Sequence, residues 1–364
     1  QDDAALPTQS VWVDYSDDMQ SRRQFDFEEG VLKIEQIVDD TATQADLLDS
    51  LVASVAEAES DTEADLSEKD AVLNYAKETL AAQDIALSES PAASNAPVLE
   101  GLMALENNEV AASIETQLGS ALQAPLAANI ETNTEIGNIA ANALDRVAET
   151  ESPGSDIKVS SSMLSSGAKK VTVTIPFAVD YLSESAQRYQ NQVIEEANRR
   201  GLPPSLVYAI METESHFNPR ARSHIPAFGL MQLVPSSGGL DAYHYVYGEK
   251  LVLGPEYYFN PDQNLELGTA YLDLLLTRYL RAVENEESRT LCAIAAYNTG
   301  AGNVARSFSG GTSVRGAAPL INALEPEAVY EHLITNLPYE ETRNYVKKVT
   351  KTRERYRTLD RPSA

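Results

Sequence analysis

The stretch Leu202-Pro203-Pro204-Ser205-Leu206-Val207-Tyr208-Ala209-Ile210-Met211-Glu212-Thr213-Glu214-Ser215-His216-Phe217-Asn218-Pro219 reads as one helix that ends beside a carboxylate. Pro203 and Pro204 suit a first helical turn, where proline's fixed φ fits and its missing N–H is not needed. Leu206, Val207, Ile210 and Met211 form an apolar stripe at helical spacing. Asn218-Pro219 then stops the helix. Glu214 falls near the C-terminal end of this element. The negative end of the helix dipole, together with any desolvation, disfavours the ionised carboxylate there and raises its pKa. A carboxyl that keeps its proton near neutral pH is what a general acid requires. Taken alone the feature is weak, because a glutamate near a helix end is more often simply solvated.

Three further stretches follow in order. Phe228-Gly229-Leu230-Met231-Gln232-Leu233-Val234-Pro235 comes within twenty residues of Glu214. Ala295-Ala296-Tyr297-Asn298-Thr299-Gly300-Ala301-Gly302 closes an apolar helical segment, and Glu341-Thr342-Arg343-Asn344-Tyr345-Val346 opens the last one. From residue 183 onward the periodicity predicts helices over 183–200, 203–214, 264–283, 288–297 and 338–356. Tyr243, Tyr245, Tyr247, Tyr257, Tyr258 and Phe259 crowd a loop-like insert after Gln232. They read either as a wall for sugar rings or, somewhat more readily, as anchors of a long loop.

The ordered set E-S-x-F-N-P, G-L-M-Q, A-Y-N-x-G and E-T-R-x-Y-V resembles the lytic transglycosylase catalytic domain, whose core is similar to goose-type lysozyme. The resemblance covers residues 185–357, close to half the chain, and four ordered motifs are far more specific than one. The segment Tyr257-Tyr258-Phe259-Asn260-Pro261-Asp262-Gln263-Asn264 and the strands near Phe25–Ile37 and Val171–Ile175 narrow the likeness to the family of membrane-bound lytic murein transglycosylase C. That family sets a small mixed α/β domain before the catalytic one.

The resemblance implies Glu214 as the sole catalytic acid/base. It would cleave the β-1,4 bond between N-acetylmuramic acid and N-acetylglucosamine in peptidoglycan and leave 1,6-anhydro ends, in cell-wall remodelling and turnover. Substrate-binding roles carry over to Ser223, Met231, Gln232, Tyr297, Asn298 and Tyr345. Ser223 sits nine residues after the glutamate, where a hydroxyl could bond the carboxylate or the substrate. Gln232 and Asn298 would bond sugar or acetamido groups, Met231 would wall the cleft, and the two tyrosines would flank the acid. Met231 and Tyr345 also read plainly as packing residues. Pro226 departs from the pattern, since many relatives have glycine before the alanine preceding G-L-M-Q. A hydrolytic muramidase of goose-lysozyme type is the alternative. It would need a second carboxylate, and Glu212, about 200° around the helix from Glu214, reads as a surface residue or a structural acceptor. No cofactor or metal is implied. The expected partner is the peptidoglycan strand, with no nucleic acid and no obligate protein partner. The expected location is the periplasm, with the protein either free there or anchored to the outer membrane through a lipid on an N-terminal cysteine that this sequence does not contain.

Composition agrees with this division. The chain has 364 residues and a formal net charge of −27. Residues 1–150 hold 31 acidic and 6 basic side chains, a net of −25, while the remainder is near neutral at −2. Of 25 aromatic residues, 20 lie after position 150. Such acidity argues against nucleic-acid binding, which needs a cationic face. No apolar run approaches the length of a membrane-spanning helix. The single cysteine excludes a disulfide framework within the chain. His216, His224, His244 and His332 show no metal-binding spacing. The chain opens at Gln1 without a charged or apolar leader, so a signal peptide is expected to have been removed.

The fold class expected is therefore α+β: a small mixed α/β N-terminal domain over residues 1–180, then an all-α lysozyme-like catalytic domain over 181–364. In the first, residues 11–37 read as strands with a hairpin about Glu28-Glu29-Gly30, and 169–176 as a strand completing that sheet. Helices are expected over 44–87, with Leu47, Leu48, Leu51 and Val52, then Val72, Tyr75 and Leu80, at helical spacing. Ser88–Pro97 and Glu149–Ala168 read as breaks, and 99–148 as helix or a loose insertion. Cys292 reads as a buried inert thiol, and the basic run Lys347, Lys348, Lys351, Arg353, Arg355 and Arg357 as a solvated helix face. The acidic half reads as a solubility feature or an adaptation to high salt.

Overall fold

The computed structural model describes residues 5–16, 18–38, 42–70, 74, 97–99, 102–103, 107–123 and 157–360. They form two compact units, one running to Ser185 and the other beginning at Ala186.

The first unit is built on β1 (Val11–Tyr15), β2 (Ser21–Asp26), β3 (Val31–Val38), β4 (Lys158–Met163) and β5 (Lys169–Pro176). The sheet order is β1-β2-β3-β5-β4, with every neighbour antiparallel. Gly30 takes φ +66° at the expected hairpin turn. The alternation read from the sequence puts Phe25, Leu32, Ile34, Val171, Val173 and Ile175 on the buried face, and Trp12 stacks on Phe25 at 4.4 Å. Helix α1 (Gln44–Ser60) covers this face with Leu47, Leu51, Val55 and Ala58, and opens with a capping box between Thr43 and Asp46. Helix α2 (Glu63–Lys69) repeats the device with Thr62 and Asp65. Helix α3 (Asn107–Gln123) buries Val110, Ile114 and Leu118 at helical spacing.

One reading is corrected here. The serine-rich stretch taken as a break contains β4. Its signal was hidden because β4 is an edge strand with neither face fully covered, so Lys-Val-Ser-Ser-Ser-Met shows no apolar alternation. It is held from the side as well: Gln117 donates to the Ile157 carbonyl at 2.8 Å and Ser161 to the Ala121 carbonyl at 2.7 Å. The expected helical positions Val72, Tyr75 and Leu80 lie outside the described residues, as does 124–156.

Helix α4 (Tyr181–Arg188) runs from the end of the first unit's sequence into the start of the second, and the second unit is all helical. It contains α5 (Gln190–Arg200), α6 (Pro204–Ser215), α7 (Gly238–Tyr247), α8 (Pro255–Phe259) and α9 (Pro261–Leu274), with a π-helical turn at Leu275–Tyr279. Then come α10 (Glu286–Thr299), α11 (Ala301–Ser309), α12 (Val314–Asn322), α13 (Pro326–Asn336) and α14 (Glu340–Tyr356), closed by a 3₁₀ turn at Arg357–Asp360. The tyrosine-rich insert is not a loop, because α7 and α8 occupy it. The glycine pair that masked the start of α7 is required by packing, since side chains at Gly238 and Gly239 would press on the rings of Tyr271 and Tyr258. Cys292 is fully buried in α10, and burial lifts its thiol to about 12.

Candidate active site

Helix α6 is buried along nearly its whole length, which is why its apolar stripe looked so broad in sequence. Pro204 opens it, and His216 ends it in the left-handed region at φ 50°, followed by Phe217 at φ 65°. Two consecutive left-handed residues turn the chain sharply away just after Glu214 and Ser215. Glu214 is 8% exposed. Tyr345, from α14, donates its phenol to Glu214 Oε1 at 2.7 Å.

The electrostatics favour a protonated acid. Burial raises the Glu214 pKa to about 8, outweighing the Tyr345 hydrogen bond that lowers it. Glu341 adds a smaller upward push, and Lys348 a smaller downward one. Tyr345 and Tyr297 are themselves pushed well above the usual phenol range, first by burial and then by the nearby Glu214 charge. Both phenols therefore remain donors throughout the pH range in which Glu214 titrates.

The G-L-M-Q turn is fixed from three sides. Ser215 donates to the Leu230 carbonyl at 2.8 Å, and Tyr297 to the Met231 carbonyl at 2.7 Å. Asn264 accepts from the Met231 amide at 2.8 Å. Tyr297 thus orients the turn, while Tyr345 donates to the acid. Met231 is fully buried and packs against Gly268 of α9. Gln232 holds φ 46° and gives its amide protons to the Ala221 and Gly229 carbonyls, each at 3.0 Å. Its Oε1 is buried with no hydrogen-bond partner. Asn298 accepts from Thr342 at 2.7 Å, joining the third motif to the fourth. Ser223 is turned into its own loop, donating to the Ile225 carbonyl, so its hydroxyl does not meet Glu214 in this structure. Beyond Pro226, Phe228 bridges back to Arg222 and forward to Leu233, so the chain still forms a closed turn.

Glu212 is a structural acceptor and not a surface residue. It is 4% exposed, pairs with Arg355 and accepts from the Tyr356 phenol at 2.7 Å. Arg353 corrects the reading of a fully solvated basic face. It falls on the same face of α14 as Val346 and Val349, so its head is buried against Ser205 and Glu287. Asn264, Ser215 and Thr342 were missed in the sequence. Asn264 could have been found as a polar residue on the buried stripe that Leu267 and Gly268 continue. Among the described residues there is no group of three or more acidic, histidine or cysteine side chains that could hold a metal ion.

Residues 191–314 match the family model described as the transglycosylase SLT domain. The matched stretch includes Glu214, Ser223, Met231, Gln232, Tyr297 and Asn298, while Tyr345 comes from the helix beyond it. The chain is 40% identical over 202 residues to membrane-bound lytic murein transglycosylase C of Histophilus somni, covering 56% of this chain and 55% of that protein. It is 40% identical over 186 residues to the protein of the same name in Klebsiella pneumoniae, covering 51% of each. The chain thus spans about half the length of the curated relatives it matches. A solved structure of the lytic transglycosylase Slt of Pseudomonas aeruginosa is similar at 29% identity and a TM-score of 0.36, over 48% of this chain and 25% of that one.

Proposed function

We propose that the chain is a peptidoglycan lytic transglycosylase acting in the bacterial cell envelope. The observation that carries this is the buried Glu214 carboxyl, with its pKa raised to about 8 and one oxygen held by Tyr345. At neutral pH the acid is mostly protonated and can donate to the glycosidic oxygen. As the C1–O4 bond breaks, that oxygen takes the proton and Glu214 becomes a carboxylate held by the Tyr345 donor. The muramic 6-hydroxyl then closes onto C1 and returns its proton to Glu214, giving a 1,6-anhydro sugar. A tethered hydroxyl has a high effective molarity, so no second carboxylate is needed to activate a water. This suits a site in which the neighbouring Glu212 is already committed to Arg355 and Tyr356. In this reading Gln232, Asn298 and Ser223 meet the sugar, with the buried Gln232 Oε1 available to accept from a hydroxyl or acetamido N–H, while Met231, fully buried, supports the turn from behind. The name of the similar proteins, membrane-bound lytic murein transglycosylase C, supports an association with the cell envelope. Among the described residues no helix is long and apolar enough to cross a membrane.

The test is the mass of the products from purified murein. Anhydro ends, lighter by one water than reducing ends, are expected, and reducing ends alone would refute the proposal. Glu214→Gln is expected to lower the rate by about 10³-fold, within the usual range for loss of a general acid.

A further inference from the structure

The segment bearing Met231 and Gln232 has little regular structure to hold it. Phe228 forms only single bridges, and two residues of the turn, Gly229 and Gln232, take positive φ. Such a segment keeps its shape only if its backbone groups find partners elsewhere. One fully buried side chain supplies two of them and ties them to a third backbone group outside the segment. Asn264, in the first turn of α9, is 0% exposed. Its Oδ1 accepts from the Met231 amide at 2.8 Å. Its Nδ2 donates to the Phe228 carbonyl at 2.9 Å and to the Tyr258 carbonyl at 2.7 Å. The two contacts on the turn bracket Gly229 and Leu230, and the third reaches into the tyrosine-rich insert. Gly229 is fitted to the same contact: at φ +74°, any side chain would overlap the Tyr258 carbonyl and the Asn264 amide.

We propose that Asn264 is the positioning residue of this site, locking the Phe228–Met231 turn so that the adjoining Gln232 keeps the place from which it meets the glycan. The inference rests on the lytic transglycosylase reading and adds a residue to it. Only a carboxamide fits the position. It must donate twice and accept once in one plane, in a buried site where an unmade hydrogen bond is costly. Aspartate keeps the acceptor but cannot serve two carbonyls, and it would bury a charge. Leucine fills the space and serves none of the three groups. Tyr297 and Ser215 hold the Met231 and Leu230 carbonyls independently. Loss of Asn264 should therefore loosen the turn without dissolving it. The Glu214–Tyr345 contact uses neither Asn264 nor the turn, so the acid should titrate as before.

The experiment compares full-length Asn264→Leu, Asn264→Asp and Gly229→Ala with the unsubstituted chain, for murein cleavage and for binding of chitotetraose in a Glu214→Gln background. The expected result for variants that unfold cooperatively is a KM raised about tenfold and chitotetraose binding weakened by a similar factor, with the descending limb of the pH profile unmoved. Gly229→Ala removes no hydrogen-bonding group and tests the same contact from the turn, should the Asn264 variants fail to fold. Wild-type KM and affinity in the folded variants would overturn the inference, as would a fall in kcat alone that follows the folded fraction. Failure of the parent reading looks different, because the unsubstituted chain would then release no anhydro product.

Discussion

At the scale of the residue, the chemistry rests on a single balance at Glu214. Burial raises the pKa and the Tyr345 hydrogen bond lowers it, and burial prevails at about 8. Below that pH the acid carries its proton, so activity should hold through neutrality and fall as pH rises past 8. Tyr345→Phe removes a donor that favours the carboxylate and should move the descending limb to higher pH. Lys348→Met should move it the same way by a smaller amount, because a positive charge that favours ionisation is gone. Glu341→Gln removes a like charge and should move it to lower pH. The pH profile of kcat/KM checks all three, and a Tyr345→Phe limb shifted downward would contradict the assignment. Tyr345→Phe also leaves the carboxylate intermediate without its donor, for which about a tenfold loss of rate is expected.

At the scale of the element, α6 and α14 form the frame of the site, and buried charges tie them. Glu212 leaves α6 on the side away from Glu214 and takes Arg355 and Tyr356 of α14, while Arg353 reaches Ser205 near the start of α6. The same device appears in the first unit. There Arg23 of β2 pairs with Asp14, opposite it on β1, and with Asp61 at the end of α1 at 2.9 Å. All three side chains are almost fully buried. Removing Arg23 leaves Asp14 buried without that cation, while Asp61 keeps Lys69 at 2.7 Å. Arg23→Met should therefore destabilise the first unit by about 3–5 kcal/mol, read as a shift of its urea midpoint. A change below about 1 kcal/mol would mean that solvent reaches these carboxylates in the native state.

At the scale of the whole molecule, the charge is divided as sharply as the fold. The acidic surplus belongs to residues 1–150, and the unit bearing Glu214 is close to neutral. Murein is itself rich in carboxylates, so that surplus cannot draw the chain to it. Like charges on one small domain repel, and salt screens them over a Debye length of about 10 Å at 0.1 M. Raising salt from low to molar concentration should raise the melting temperature of the first unit and leave that of the unit bearing Glu214 nearly still. A first unit that melts earlier in high salt would refute the screening account.

The sequence by itself determined the helix that carries Glu214, the hairpin turning at Gly30, the strand over 169–176 and the order of the four motifs. Each is written in local periodicity, in capping and turn residues, or in short spacings that survive without knowledge of the rest of the chain. Only the tertiary structure decided what those residues do to one another. Tyr345 lies 131 positions from Glu214 yet donates to it, and Asn264 lies 33 positions from the Met231 amide it binds. Ser223, read as bonding either the carboxylate or the substrate, donates to the Ile225 carbonyl of its own loop. Glu212 and Arg353, read from their charge as solvated or structural, are buried by helices that meet only when the domain closes. β4 became a strand because β5 and α3 offer its edge partners, which no pattern within Lys158–Met163 could announce. Burial and hydrogen-bond partnership depend on what the fold brings close, and the raised pKa of Glu214 depends on both.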